Sequence, residues 1–154
     1  MSEGSALGFD VGAKRIGVAV GHSLTGAGRD LCVLEVRGAA GDFHDFDFAA
    51  LDRAVADYTP VVLVVGDPKL LDDEDAVQPA RRRARAFAHA LATRYRLPVR
   101  MVDERRSSLE AAGRFAQARA AGTRRRAGAE KLDALAAAVI LDRWFADPGA
   151  GTAP

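Results

Sequence analysis

The five residues "VVLVV" (61–65) constrain the fold more than any other stretch. They are wholly apolar, whereas a strand with one solvated face alternates, so they read as a strand covered on both faces and central in its sheet. Such a strand needs helices on each side of the sheet. Three short apolar segments rich in Val, Ile and Leu precede it, at 6–9, 15–20 and 31–36, separated by Gly12, Gly26 and Gly28. Their tight connections predict antiparallel neighbours. After a loop holding Gly38 and Gly41, "DFDFAALDRAVADY" (45–58) sets Phe46, Ala49, Leu51 and Val55 near helical spacing and stops before Pro60. Further helices are expected over 76–95, 107–121 and 130–145, with a fifth strand at 99–102. That order predicts an α/β fold: a mixed five-stranded sheet, three strands antiparallel and then parallel ones, with helices on both faces.

At 154 residues the chain is expected to form one domain, 1–154, burying about two-thirds of the surface its unfolded form exposes. Neither an internal repeat nor a linker interrupts it, and residues 1–5 and 148–154 are expected to be disordered ends. No apolar stretch approaches the roughly twenty residues of a membrane span, and the start "MSEGSALGF" lacks the order of a signal peptide, so a cytoplasmic location is expected. Cys32 stands alone between Leu31 and Val33, which reads as a small buried hydrophobe without a catalytic role.

The net charge of +1 hides an asymmetry. Residues 1–75 hold 6 basic and 14 acidic side chains, whereas residues 76–154 hold 16 basic and 7 acidic. Nineteen of the 22 cations are arginine, including the runs "ARRRAR" (80–85), "ERR" (104–106) and "TRRRAG" (123–128). A single such run is ordinarily a solvated face. Three of them beside acidic motifs point to a polyanion, because the planar guanidinium fork suits phosphate oxygens.

Four carboxylate positions stand out. Asp10 ends the first strand, Asp67 the central one, and Asp103 with Glu104 the fifth. Asp133 lies early in the last helix, within 20° of Ile140 at 100° per residue, on the edge of a stripe of Leu132, Leu135, Ala136, Val139 and Ile140. Each has an ordinary explanation: a turn for Asp10 and Asp67, neutralisation by Arg105 and Arg106 for Asp103 and Glu104, the helix dipole for Asp133. Ser107 and Glu110 have capping-box spacing, so the fifth-strand pair sits in a short, well-specified connection. Together, acids at one sheet edge repel one another unless cations pair with them, which suggests a divalent metal bound by hard oxygens, Mg²⁺ or Mn²⁺. His22, His44 and His89 are scattered, so zinc is not expected.

With these residues in view, the chain resembles the YqgF/RuvX family, relatives of the RuvC Holliday-junction resolvase built on the ribonuclease H fold. "GFDVGAKRIGVAV" (8–20) is similar to the family's first motif, "VVGDP" (64–68) to its second, "DERRSS" (103–108) to its third and "KLDALAAAVILDRWF" (131–145) to its C-terminal helix. The resemblance implies that Asp10, Glu104 and Asp133 are catalytic and bind metal, two ions in the two-metal scheme, with Asp10 bridging them. Asp103 is the neighbouring alternative to Glu104, since consecutive residues in extended chain point opposite ways. Lys14, Arg15, Arg105 and Arg106 would hold backbone phosphates. The second motif departs from the usual Gly-Leu-Pro by placing Asp67 where leucine stands. Adjacent strands lie about 4.8 Å apart, so Asp67 is expected to reach Asp10 and join the metal site. The acidic run from Asp72 to Asp75 should repel a nucleic-acid backbone and lie off its path or gate it.

The function implied is a metal-dependent endonuclease acting on structured nucleic acid, either four-way DNA junctions or the 5′ end of precursor 16S rRNA. A junction would call for a symmetric homodimer. Phe115, or Trp144 and Phe145, could supply an apolar contact for it, although their more ordinary place is the core. Two other readings stay open: a catalytically silent RNA-binding factor, and a phosphotransfer domain of the actin-like group, whose first phosphate loop also resembles 8–20. The latter proteins use two lobes, and a 154-residue chain has room for one.

Overall fold

The computed structural model describes residues 3–37, 43–68, 74–103 and 128–154. Five strands, β1 (Ser5–Val11), β2 (Arg15–His22), β3 (Ala27–Glu35), β4 (Val62–Asp67) and β5 (Val99–Asp103), form one sheet in the order β3-β2-β1-β4-β5. β1–β2 and β2–β3 pair antiparallel, and β1–β4 and β4–β5 pair parallel. This is the mixed sheet expected. β1 is its middle strand, with β4 beside it, which corrects the placement of 61–65 at the centre. Apolar residues on both faces report the layers above and below a strand, and two strands inside this sheet meet that condition.

Helix α1 (Ala49–Tyr58) and helix α2 (Glu74–Tyr95) cover one face, and helix α3 (Gly128–Ala146) covers the other. Asp47 accepts a hydrogen bond from the Ala49 N–H at 3.0 Å at the start of α1, and Thr59 closes its end with φ 42° just before Pro60. α2 contains Pro79 in its second turn, where the ring removes one main-chain hydrogen bond of the helix. On the α1/α2 face Leu7, Phe9, Ile16, Val18, Leu63 and Val65 pack against Leu51, Phe87 and Leu91. On the α3 face Ala6, Ala19, Val62, Val64 and Val102 meet Ala137, Ala138, Ile140, Leu141 and Trp144. Trp144 is therefore core, and Phe145 packs partly buried beside it. The expected helix at 107–121, with Phe115, lies outside the described residues.

The ends are not loose where they are described. Gly4 donates its N–H to Ser23 Oγ at 3.0 Å and accepts the Ser23 N–H at 3.0 Å, and Ser5 already belongs to β1. At the other end Pro148–Ala150 form a 3₁₀ turn, and Thr152 exchanges two backbone hydrogen bonds with Met101 at 2.7 and 3.0 Å. The physical reason is edge protection: β5 would otherwise present unpaired N–H and C=O groups, and the tail pairs with two of them. The expectation of disorder at 148–154 is corrected accordingly.

Candidate metal and nucleic-acid site

The site grows out of strand alternation. Ala6 and Gly8 face α3 while Leu7 and Phe9 face α2, so Asp10 falls on the α3 face. Its register partner in β2 is Gly17, and directly opposed residues share a face. Gly17 matters because it has no side chain. A Cβ there would collide with the main-chain carbonyl of Asp133, so the first turns of α3 rest directly on the β2 backbone. Gly8 and Gly28 play the same part further along, where a Cβ would lie 3.0 Å from the Ala137 carbonyl and 2.8 Å from the Ala138 carbonyl. Asp133 shares a helical line with Ala137, Ile140, Leu141 and Trp144, the residues buried against the sheet. Helix docking over glycine thus brings the Asp133 backbone over Gly17, the residue opposite Asp10 in β2.

Cations accompany these acids. The turn joining β1 to β2 is closed by the Gly12 N–H donating to the Arg15 carbonyl at 2.9 Å, and it presents Lys14 to solvent. Arg15 donates from Nε to Asp133 Oδ2 at 2.7 Å, with the two side chains 39% and 28% exposed. Arg15 was expected to hold phosphate; in the structure its partner is the carboxylate. α3 is fixed over the sheet by further polar contacts: Lys131 Nζ to Asp30 Oδ2 at 2.7 Å, and the Gly28 N–H to Asp142 Oδ1 at 2.7 Å. Arg143 donates to the Asp103 carbonyl at 3.0 Å, tying α3 to the end of β5.

The other expected residues separate. Asp67 reaches the same end of the sheet but in phase with Leu63 and Val65, on the α2 face. It is 4% exposed and accepts from Arg81 Nε at 3.0 Å and Nη2 at 3.4 Å. The expectation that it approaches Asp10 is corrected: closeness between strands counts only for side chains on one face, and alternation sends these two apart. Asp103 stands in phase with Val99 and Met101, again opposite Asp10. Glu104, Arg105, Arg106 and the run Asp72–Asp73 lie outside the described residues.

Comparison with known proteins places this geometry. A family model described as RuvX, Holliday junction resolvase, matches residues 4–147. The chain belongs to the RuvX family. A relative from Xylella fastidiosa (strain M23), named "Putative pre-16S rRNA nuclease", is 57% identical over 146 residues, covering 95% of this chain and 90% of the relative. Another of the same name, from Xanthomonas axonopodis pv. citri (strain 306), is 53% identical over 150 residues, covering 97% and 92%. Among solved structures, Thermus thermophilus RuvC in complex with a Holliday junction substrate matches with TM-score 0.57 at 17% identity, over 97% of this chain and 99% of that one. That likeness establishes the RuvC-like, ribonuclease H-like α/β fold.

A RuvX-family nuclease implies divalent-metal use, and the donor set here fits it. Asp10 and Asp133 offer hard oxygens on one face, the ligand chemistry of Mg²⁺ and Mn²⁺. Among the described residues no group of three His, Cys, Asp or Glu gathers to hold an ion. Sequence reasoning missed two things: the Arg15–Asp133 pair and the seat at Gly17. The second left a signal, a glycine inside the apolar strand "RIGVAV", which marks close approach of another backbone. No helix among the described residues is long and apolar enough to cross a membrane.

Proposed function

We propose that this chain, as a single nuclease domain, is a divalent-metal-dependent endonuclease hydrolysing phosphodiester bonds at the 5′ end of precursor 16S rRNA. The observation that carries the reading is the Asp10–Gly17 register with Asp133 docked over Gly17, which puts two carboxylates on one face at the strand end. Relatives at 57% and 53% identity bearing the pre-16S rRNA nuclease name support the substrate. Asp10 and Asp133 would hold Mg²⁺ or Mn²⁺, with Glu104 as third ligand. Glu104 is preferred over Asp103 because Asp103 shares its phase with the opposite face. Bound there, two ions would activate a water and stabilise the attacking and leaving oxygens of an in-line displacement.

The chain's own residues do the rest. Asp10, near the end of the sheet's middle strand, pairs with Gly17 of β2, one residue beyond Phe9, where the pairing of β1 with β4 ends. Lys14 projects from the adjoining turn toward solvent, where it would meet a backbone phosphate, with Arg105 and Arg106 as further phosphate contacts. Asp67 we assign to structure, since Arg81 already neutralises it away from Asp10.

A second reading, cleavage of four-way DNA junctions, draws on the family description. Resolving a junction by paired nicks would require a symmetric dimer, whereas trimming one RNA end would not. Purified protein and Asp10→Asn are compared on matched amounts of a pre-rRNA fragment and a mobile four-way junction, in Mg²⁺, Mn²⁺ and EDTA. RNA cleavage that needs both metal and Asp10, with a loss on the order of 10³-fold in the variant, is expected. Junction cleavage with the same requirements would select the second reading, and equal binding without cutting in EDTA and metal would make the protein a silent RNA-binding factor.

A further inference from the structure

We propose that Arg15 is a positioning residue that serves as the resident counter-cation of Asp133, competing with the divalent ion for this carboxylate and passing to the substrate backbone when the ion arrives. The inference rests on the metal reading above and goes beyond it. Asp133 docks over Gly17, the residue opposite Asp10 in β2, and two carboxylates on one face repel each other without a cation. Arg15 supplies one from the first residue of β2, through Nε to Oδ2 at 2.7 Å. The pair is more than a quarter exposed on both sides, so solvent screens it and it can exchange. A carboxylate oxygen engaged by a guanidinium has fewer lone pairs to offer a metal, so the two cations compete at Asp133. The guanidinium, once displaced, sits in the turn that also carries Lys14, and its planar fork suits a phosphate better than an ammonium does. Charge stays balanced through the exchange: the ion replaces Arg15 on the acids, and the substrate phosphate replaces Asp133 on Arg15.

The test titrates Mn²⁺ alone into the full chain and its Arg15→Gln, Lys14→Gln, Asp10→Asn and Asp133→Asn variants, following free Mn²⁺ by electron paramagnetic resonance. A parallel titration follows binding of a short RNA with Mn²⁺ present and in EDTA. Arg15→Gln is expected to bind Mn²⁺ about two- to fivefold more tightly, the fold-change equivalent of a partly exposed ion pair, and to bind RNA more weakly with Mn²⁺ present but not in EDTA. Lys14→Gln removes the same charge from the same turn without touching Asp133 and should change Mn²⁺ affinity less. A simple loss of structure would not raise metal affinity. Unchanged or weaker Mn²⁺ binding in Arg15→Gln, or equal gains in both variants, would overturn the proposal while Asp133→Asn still abolishes binding and leaves the metal site standing. Mn²⁺ affinity untouched by Asp10→Asn and Asp133→Asn would remove the metal reading itself. Should Arg15→Gln melt below the assay temperature, Arg15→Lys keeps the charge without the Nε donor, and its Mn²⁺ affinity should still exceed that of the parent.

Discussion

The two faces of the sheet are built from different material. Under α1 and α2 lie aromatic rings: Phe87 meets Phe9, Phe43 and Phe46 edge to face with centroids 5.1 to 5.8 Å apart. Under α3 lie glycine and alanine, and the helix sits close enough for its carbonyls to touch the strand backbones. Large side chains bury more apolar area and stabilise more, but they hold a helix away from the sheet. Small ones give up that area and let Asp133 descend beside Asp10. The comparison teaches that one face is built for burial and the other for close approach of helix and sheet.

The largest break in that division should come from Phe87→Ala, which removes the ring at the hub of the aromatic cluster. A loss of about 3–5 kcal/mol in denaturant unfolding is expected, with Mn²⁺ affinity preserved in the fraction that remains folded. A parallel loss of metal binding would show that the faces are not separable. Next, Asp67→Asn leaves Arg81 without its full charge partner in a buried pair, costing about 3 kcal/mol in the same assay. Its Mn²⁺ affinity and its cleavage per folded molecule should equal the parent's, and a drop in either would return Asp67 to the metal site. Gly17→Ala should show the reverse pattern. Overpacking of α3 costs about 1–3 kcal/mol, while Mn²⁺ binding falls steeply because Asp133 is lifted from Asp10.

The smallest effect concerns the rim of the aromatic face. Asp52 accepts from Arg94 Nη2 at 2.6 Å, Arg94 Nε at 2.8 Å and the Tyr95 hydroxyl at 2.6 Å, and Arg94 lies 4.6 Å over the Phe48 ring. These contacts, the Arg94 hydrogen bonds foremost, hold the Asp52 carboxyl down at about 2. A pKa lowered by folding means that the folded state binds fewer protons, so the contribution is present above the ordinary carboxylate range and lost as pH falls toward 2. Acid unfolding of Asp52→Asn should therefore differ from the parent near neutral pH and converge with it around pH 2. A difference that persists at pH 2 would show that the contact acts through packing.

Much of this was written along the chain. The apolar run at 62–65, the glycine-separated strands and the helical spacing of 45–58 foretold the mixed sheet, because burial on two faces, on one face or on a helical stripe each leaves its own period. The four motif blocks in order foretold the family. What they could not convey was facing. Asp10, Asp67 and Asp103 all end strands on the same sheet edge, and only the pleat sorts them, one toward α3 and two toward α2.

The sequence by itself determined the five strands and the described helices, that Asp10, Asp67 and Asp103 lie at strand ends, and that Lys14 and Arg15 follow Asp10 in the next turn. These follow from local periodicity and from chemistry carried by single residues. The tertiary structure alone decided that Asp133 meets Arg15 across 118 positions of chain, that Asp67 closes with Arg81 instead of Asp10, and that the tail at Thr152 pairs with the β5 edge. Such pairings depend on strand register and on how closely a helix docks, and both are settled only when distant segments compete for the same space.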